Sequence, residues 1–280
     1  MAQPQPPTGM AAVLAVSRAT SAGGLRGRRL WGVLFVAWLP LLLQVMVMAF
    51  RDGSPLSGFN SFVTHGCRIT VQTVTPVILA FLGTGAFSDE WSLGTSHYVT
   101  GLPLSRTTLV LGRWLRVLRS ALLIVLPPLV LSFFLNLVQF FSADTLREYL
   151  PALLYVLLGT SLLAAGMGAL FVLFGLLVRR PLMAALVYVF MFEMAGGMLP
   201  PSFMALSLNS HVRNILWQLT GHDGFLGPAQ EIWKTDPSSI AASLTWLVGA
   251  VLFGLGLAVL RLRAKESGDS SAAAGEDTES

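Results

Sequence analysis

Glu193 lies in Val189-Phe-Met-Phe-Glu-Met-Ala-Gly-Gly197, a carboxyl group set in an otherwise apolar stretch. Burying such a group in hydrocarbon costs roughly 2.5 to 3.5 kcal/mol, so it faces the interior of a helix bundle or water. It then serves one of two ends. Either it lines a translocation path or binds a cationic group, or it is a protonated hydrogen-bond partner that only packs helices. The second concentration of polar chemistry is residues 87–106, Phe-Ser-Asp-Glu-Trp-Ser-Leu-Gly-Thr-Ser-His-Tyr-Val-Thr-Gly-Leu-Pro-Leu-Ser-Arg. Ser88 or Asp89 is suited to cap a helix there, and Glu90 to occupy its first turn. Trp91, Thr95, Tyr98 and Leu102 then share one face, and Asp89, Ser92 and Ser96 share another. That pattern predicts an amphipathic helix lying along the membrane, aromatics in the interface and polar face outward. Gly101 and Pro103 stop it, and Ser105 caps the next helix. Arg106, Arg113, Arg116 and Arg119 project over about a third of that next helix, at ~100° per residue. They suit lipid phosphates or an acidic partner surface. The competing reading is a solvated loop whose arginines only set topology.

Several chemistries are missing. A phosphate-binding loop needs Gly-x-x-x-x-Gly-Lys-Ser/Thr, and the only lysines, Lys234 and Lys265, do not fit it. There is no His-Glu-x-x-His for zinc and no Gly-x-Ser-x-Gly elbow for a nucleophile. His65, His97, His211 and His222 are scattered, and the single cysteine, Cys67, excludes an internal disulfide. The sequence therefore reads as a non-enzyme with no metal site, no nucleic-acid partner and no cofactor of its own.

These residues sit on elements that composition makes plain. Of 280 residues 54% are hydrophobic and 11% charged, with mean hydropathy +0.69. Soluble domains carry roughly 25% charged residues, so a soluble globule is excluded. Six apolar runs are long enough to cross a bilayer: Leu30–Phe50, Gly66–Phe87, Arg119–Phe141, Leu150–Val178, Leu182–Leu206 and Ile240–Leu260. They lack the alternation of barrel strands and read as helices. With the N-terminus inside, the inner segments hold Arg18, Arg26, Arg28, Arg29, Arg106, Arg113, Arg116, Arg119, Arg179, Arg180, Arg261, Arg263 and Lys265. The outer ones hold only Arg51, Arg147, Arg213 and Lys234, with Arg68 at the outer end of the second span, where it is suited to snorkel to headgroups. This asymmetry predicts both termini in the cytoplasm.

The domain reading is a cytoplasmic segment over 1–29, a six-helix permease domain over 30–260 and a flexible cytoplasmic tail over 261–280. The stretch around Arg18 to Arg29 is either an interfacial helix or a stop-transfer flank. Met10–Val16 has no basic residues before it and is a poor signal peptide, so the first span is expected to be retained. Gly196, Gly197, Pro200 and Pro201 are placed to bend or break the fifth helix, and Pro127-Pro128 to kink the third. Ser161, Ala165 and Ala169 form a small-residue ridge on the fourth span, suited to packing within the chain or to a homodimer seam. The long inner loop (88–118) and long outer loop (207–239) give a three-plus-three arrangement with inverted loop lengths, a layout also found in secondary transporters.

The ordered set Glu90, Gly94-Thr95, Pro103-Leu104-Ser105-Arg106 and Gly112-Arg113 resembles the segment between the second and third spans of membrane permease subunits of type-2 ATP-binding-cassette exporters. The match is detailed over about 25 residues, and the six-span layout extends it. The resemblance implies a coupling helix whose Asp89, Glu90, Gly94, Thr95, Pro103, Ser105 and Arg106 contact a separate ATPase subunit. It further implies ATP and Mg on that partner, a homodimer or heterodimer with a second permease, re-entrant outer helices after the fifth span and residence in the cell membrane. His97 and Tyr98 depart from the family pattern, and no family signature surrounds Pro200-Pro201. A secondary transporter or channel, and a non-transporting membrane scaffold, are the alternative readings.

Overall fold

The structure is a computed structural model that describes residues 9–24, 28–50, 55–92, 104–138, 142–194, 201–225 and 238–276. Every regular element among the described residues is helical. A helix satisfies its own backbone hydrogen bonds, which hydrocarbon cannot do for it. Helices α1 (Gly9–Gly24) and α2 (Arg28–Met48) are followed by α3 (Pro55–Ser61), which runs through two π-helical turns, Phe62–Cys67 and Thr70–Val74, into α4 (Thr75–Ser92). Next come α5 (Arg106–Leu137), α6 (Ala143–Leu177) and α7 (Pro181–Tyr188) with its π-helical extension Val189–Met194. Then follow the short α8 (Pro201–Met204), α9 (Leu208–Thr220) and α10 (Ile240–Glu276). Five stretches are long and apolar enough to cross a bilayer: Trp31–Met48, Ser57–Phe87, Arg106–Leu137, Ala143–Leu177 and Ile240–Ala264.

Four boundaries differ from the sequence reading. Among the described residues the fifth apolar run holds the helix Pro181–Met194, short of the ~20 residues a span needs, and residues 195–200 lie outside the described residues. Of its later residues, Pro201–Met204 form α8, and the cap of α9, Ser207, follows the run directly. The third span begins at Arg106, not Arg119. The arginines do not end it, because their long stems let one helix carry charge at its end and apolar side chains further along. No new helix begins at Ser88 or Asp89. The helix of the second span continues past its apolar stretch to Ser92, so these residues are interior to α4 and not caps. Finally, α10 continues to Glu276, across the segment expected to be a flexible tail. Elongating an existing helix fixes one residue per hydrogen bond and avoids the cost of nucleation.

Helix starts follow local chemistry. The Ser105 hydroxyl accepts from the Thr108 N–H at 3.1 Å, as expected of a cap. Ser142 caps α6 in the same way through Thr145 N–H. Thr75 donates its hydroxyl to the Thr70 carbonyl at 2.8 Å, and its N–H reaches the same carbonyl, closing a π turn.

The fourth span, α6, is the centre of the bundle, packed against α4, α5, α9 and α10. Small residues bring its neighbours close. A Cβ at Gly175 would meet the Thr84 carbonyl oxygen of α4 at 2.7 Å, and one at Gly254 of α10 would meet the Ala169 backbone at 2.9 Å. Trp114 of α5 donates its indole N–H to the Ala165 carbonyl at 3.0 Å. Ala165 and Ala169 of the small-residue ridge are therefore engaged within the chain. The first span is different, since Trp31, Phe35, Leu42 and Met46 remain exposed, a surface suited to lipid. One polar knot ties it in: Ser132 of α5 donates to Gln44 Oε1 at 2.5 Å, and both side chains abut Gly66 of the second span.

Candidate functional site

Two groups of polar residues stand out, at opposite ends of the chain's apolar elements. The first joins the end of the second span to the start of the third. Ser105 caps α5, and Arg106, its first residue, is half-buried. Two turns further on come Gly112 and Arg113. Adjacent residues on a helix face different neighbours, and here they grip two different helices. A Cβ at Gly112 would lie 2.7 Å from Val16 Cβ of α1, so glycine admits α1 against the third span. Ala12, Val13, Val16 and Ser17 are the buried side of α1. Arg113 is 1% exposed. Its Nη1 donates to the Ala86 carbonyl at 2.5 Å, and its guanidinium lies 4.2 Å from the centroid of the Phe87 ring. A guanidinium on an aromatic face in a dry setting is worth roughly 2 kcal/mol or more. Arg113 thus fastens the third span to the end of the second.

The four arginines of α5 consequently do not form one outward face. Arg119 is exposed and Arg106 and Arg116 are half-buried, whereas Arg113 is turned inward. Asp89 and Glu90 lie in the helical backbone of α4. Gly94, Thr95 and Pro103, with the rest of the expected coupling helix, lie outside the described residues.

The second group surrounds Glu193, which is 6% exposed and lies in the π-helical extension of α7. The structure does not bring it to the Ser105–Arg113 group. Its Oε2 accepts from the Ser207 hydroxyl at 2.8 Å and the Asn209 N–H at 3.0 Å. Its Oε1 accepts from the Leu208 N–H at 3.0 Å and stands 2.8 Å from the Tyr188 hydroxyl, which also reaches the Leu206 carbonyl at 3.0 Å. Ser207 is itself the cap of α9, accepting from the Ser210 N–H. A carboxylate here meets the free N–H groups and positive dipole end of α9. Of the two roles open to Glu193, the geometry realises hydrogen bonding between helices. It binds the π-helical extension of α7 to the start of α9.

Beyond this knot, His222 of the turn after α9 donates from Nε2 to Asn60 Oδ1 at 2.7 Å and accepts the Gly224 N–H on Nδ1 at 3.1 Å. Burial lowers its pKa below the usual 6.5 against the opposing pull of Asp223. The turn is made possible by Gly221, at φ 65°, whose N–H bonds the Trp217 carbonyl.

Sequence reasoning missed the inward turn of Arg113 and all the partners of Glu193. Ser207 ahead of Leu208 was a legible cap signal, but nothing local says that a carboxylate reaches it. No cluster of three or more metal-ligating side chains occurs among the described residues. A comparison with protein-family models returns no match, and neither does a comparison with curated proteins.

Proposed function

We propose that this chain is the membrane-spanning permease subunit of an ATP-driven exporter, powered by a separate ATPase subunit and working as a dimer in the cell membrane. The observation that carries the reading is the Arg113–Ala86 tie. It lies beside a segment whose Glu90, Gly94-Thr95, Pro103-Leu104-Ser105-Arg106 and Gly112-Arg113 follow the order of a coupling segment. A push delivered to residues 88–106 reaches two spans at once, because those spans are fastened where the segment leaves and re-enters them. Closure of two ATPases then rocks the second and third spans between inward- and outward-open states, each held by its own packed interfaces.

Six crossings with both termini inside complete the proposal, with Pro181–Met194 as the incomplete fifth crossing and α8 and α9 as its outer continuation. Glu193 is less suited to an ion relay, since each of its oxygens already has hydrogen-bond partners within the chain.

The test is copurification of the tagged chain from its native cells and ATP hydrolysis by the resulting complex in proteoliposomes. An ATPase subunit is expected to copurify, and Glu90→Arg or Gly94→Trp is expected to release it. Absence of any ATPase in the wild-type preparation, with ion-gradient-driven transport instead, would assign a secondary transporter.

A further inference from the structure

Past the Gly112–Val16 contact, α1 and α5 leave a groove of about 460 Å³ between them, within the ~300–1,000 Å³ of small-ligand sites. Leu115, Leu118, Leu122 and Leu126 of α5 and Leu14 of α1 line it. The α5 positions recur every three or four residues and so form one continuous apolar stripe. The stripe is open to the surroundings: Leu14 is 41% exposed, and Leu123, also on the groove, is 69% exposed.

Arg119 stands midway along that stripe and borders the groove. It is exposed, and it has no hydrogen bond or ion pair among the described residues. Ser17 of α1 borders the same groove. It is 1% exposed, and its hydroxyl has no partner, one of the few such groups a native structure keeps.

The charge has a defined depth. Arg106, Arg113 and Arg116 precede Arg119 in α5, and no charged residue follows it up to Leu137. Charge is costly in hydrocarbon, so Arg119 marks the hydrocarbon edge, with Leu122 and Leu126 on the acyl-chain side. A purely apolar ligand fits the leucines and leaves the guanidinium unpaired. A small soluble anion pairs the guanidinium and leaves the leucines uncovered. An amphiphile with a negative head does both, and the fork of the guanidinium matches phosphate.

We propose that the groove between α1 and α5 binds one anionic phospholipid, with an acyl chain along Leu122 and Leu126 and the phosphate on Arg119. The second acyl chain stays in the bilayer beside Leu123. The site requires only that α5 lie in a bilayer, whatever powers the chain.

The experiment is native mass spectrometry of the full chain in neutral detergent, mixed with equal amounts of phosphatidylglycerol and phosphatidylcholine of the same acyl composition. One phosphatidylglycerol per chain is expected to be retained in preference to phosphatidylcholine. Arg119→Gln is expected to weaken retention about tenfold, the loss of one hydrogen bond to a charged group. Leu122→Trp fills the groove and is expected to abolish it. Arg261→Gln, at an exposed arginine of α10 that does not line the groove, is expected to leave retention unchanged, which separates a site from general attraction to a basic face. In lipid-free detergent Arg119→Gln is expected to keep the wild-type Tm, so its effect is loss of ligand and not of fold. Equal retention of the two lipids overturns the proposal, leaving only surrounding bilayer lipid. Phosphatidylglycerol retained by both Arg119→Gln and Leu122→Trp overturns it as well. So does a wild-type chain that is lipid-free and dimeric until Leu122→Trp separates it, which assigns the groove to a second copy.

Discussion

Arg113 and the Ala86 carbonyl are 27 residues apart in sequence and 2.5 Å apart in space. That bond makes the end of the second span and the start of the third a single piece. Arg113→Met keeps much of the side-chain length and removes the donor. It is expected to cost about 1.5–3 kcal/mol, the range for hydrogen bonds to charged groups, read as an earlier midpoint in a detergent-unfolding titration. Arg119→Met, on an exposed position of the same helix, is expected to change the midpoint by less than about 0.5 kcal/mol.

Gly175 makes a second joint between α4 and α6. With the Thr84 carbonyl 2.7 Å from where a Cβ would sit, Gly175→Ala pushes backbone against backbone. A loss of about 1–3 kcal/mol is expected. Gly249→Ala, where a Cβ meets nothing within 4 Å, serves as the control and is expected to be silent.

Replacing Glu193 by Gln puts an NH₂ group where two donors now converge. Loss of Oε2 strands the Ser207 hydroxyl and the Asn209 N–H, and loss of Oε1 strands the Leu208 N–H, while the Tyr188 hydroxyl turns to the Leu206 carbonyl. The expected cost is roughly 1–3 kcal/mol per unsatisfied buried group. Hydrogen exchange at the Leu208 and Asn209 amides is the direct readout, and faster exchange confined to the first turn of α9 is the expected result. Unchanged protection in a folded variant would show that Ser207 alone holds that turn.

His222 gives an acid-sensitive contribution. Burial favours its neutral form, so its folded pKa lies below 6.5. The native state then binds fewer protons than the unfolded state, and stability rises with pH across the interval between the two values. The contribution is complete above about 6.5 and is lost as pH falls through the lower, folded value. Protonation puts a proton on Nδ1 against the Gly224 N–H. His222→Gln is expected to flatten the Tm profile between pH 7.5 and 5, and an unchanged slope would refute this.

Long-range contacts decide how far sequence alone carries this fold. Runs such as 31–48 and 143–177 declare themselves because hydrocarbon demands about 20 apolar residues in a row. Ser105 declares itself as a cap because the signal is local. A helix starting at Pro201 was legible in the Pro200-Pro201 pair, whereas the bonds from Glu193 to the start of α9 were not. The carboxylate meets α9 from 14 to 16 residues away, a distance no periodicity encodes. The π turns were also hidden: only Thr70–Val74 carries a side-chain bond at its end, from the Thr75 hydroxyl to the Thr70 carbonyl, and no local pattern announces that pairing. Arg113 shows the same limit from the other side. Its neighbours Arg106, Arg116 and Arg119 predict a charged outer face, and only the arrival of Phe87 and the Ala86 carbonyl turns it inward.

The two π turns, Phe62–Cys67 and Thr70–Val74, give the second span a distinctive property. A wider turn advances less per residue than an α turn, so this stretch stores unspent length. Relaxing either turn to α geometry lengthens the rod and swivels everything beyond it, Arg68 included, without breaking the chain's hydrogen-bonded continuity. The span is in effect a screw with adjustable thread, clamped at one end by Arg113 and at the other by the Asn60–His222 bond.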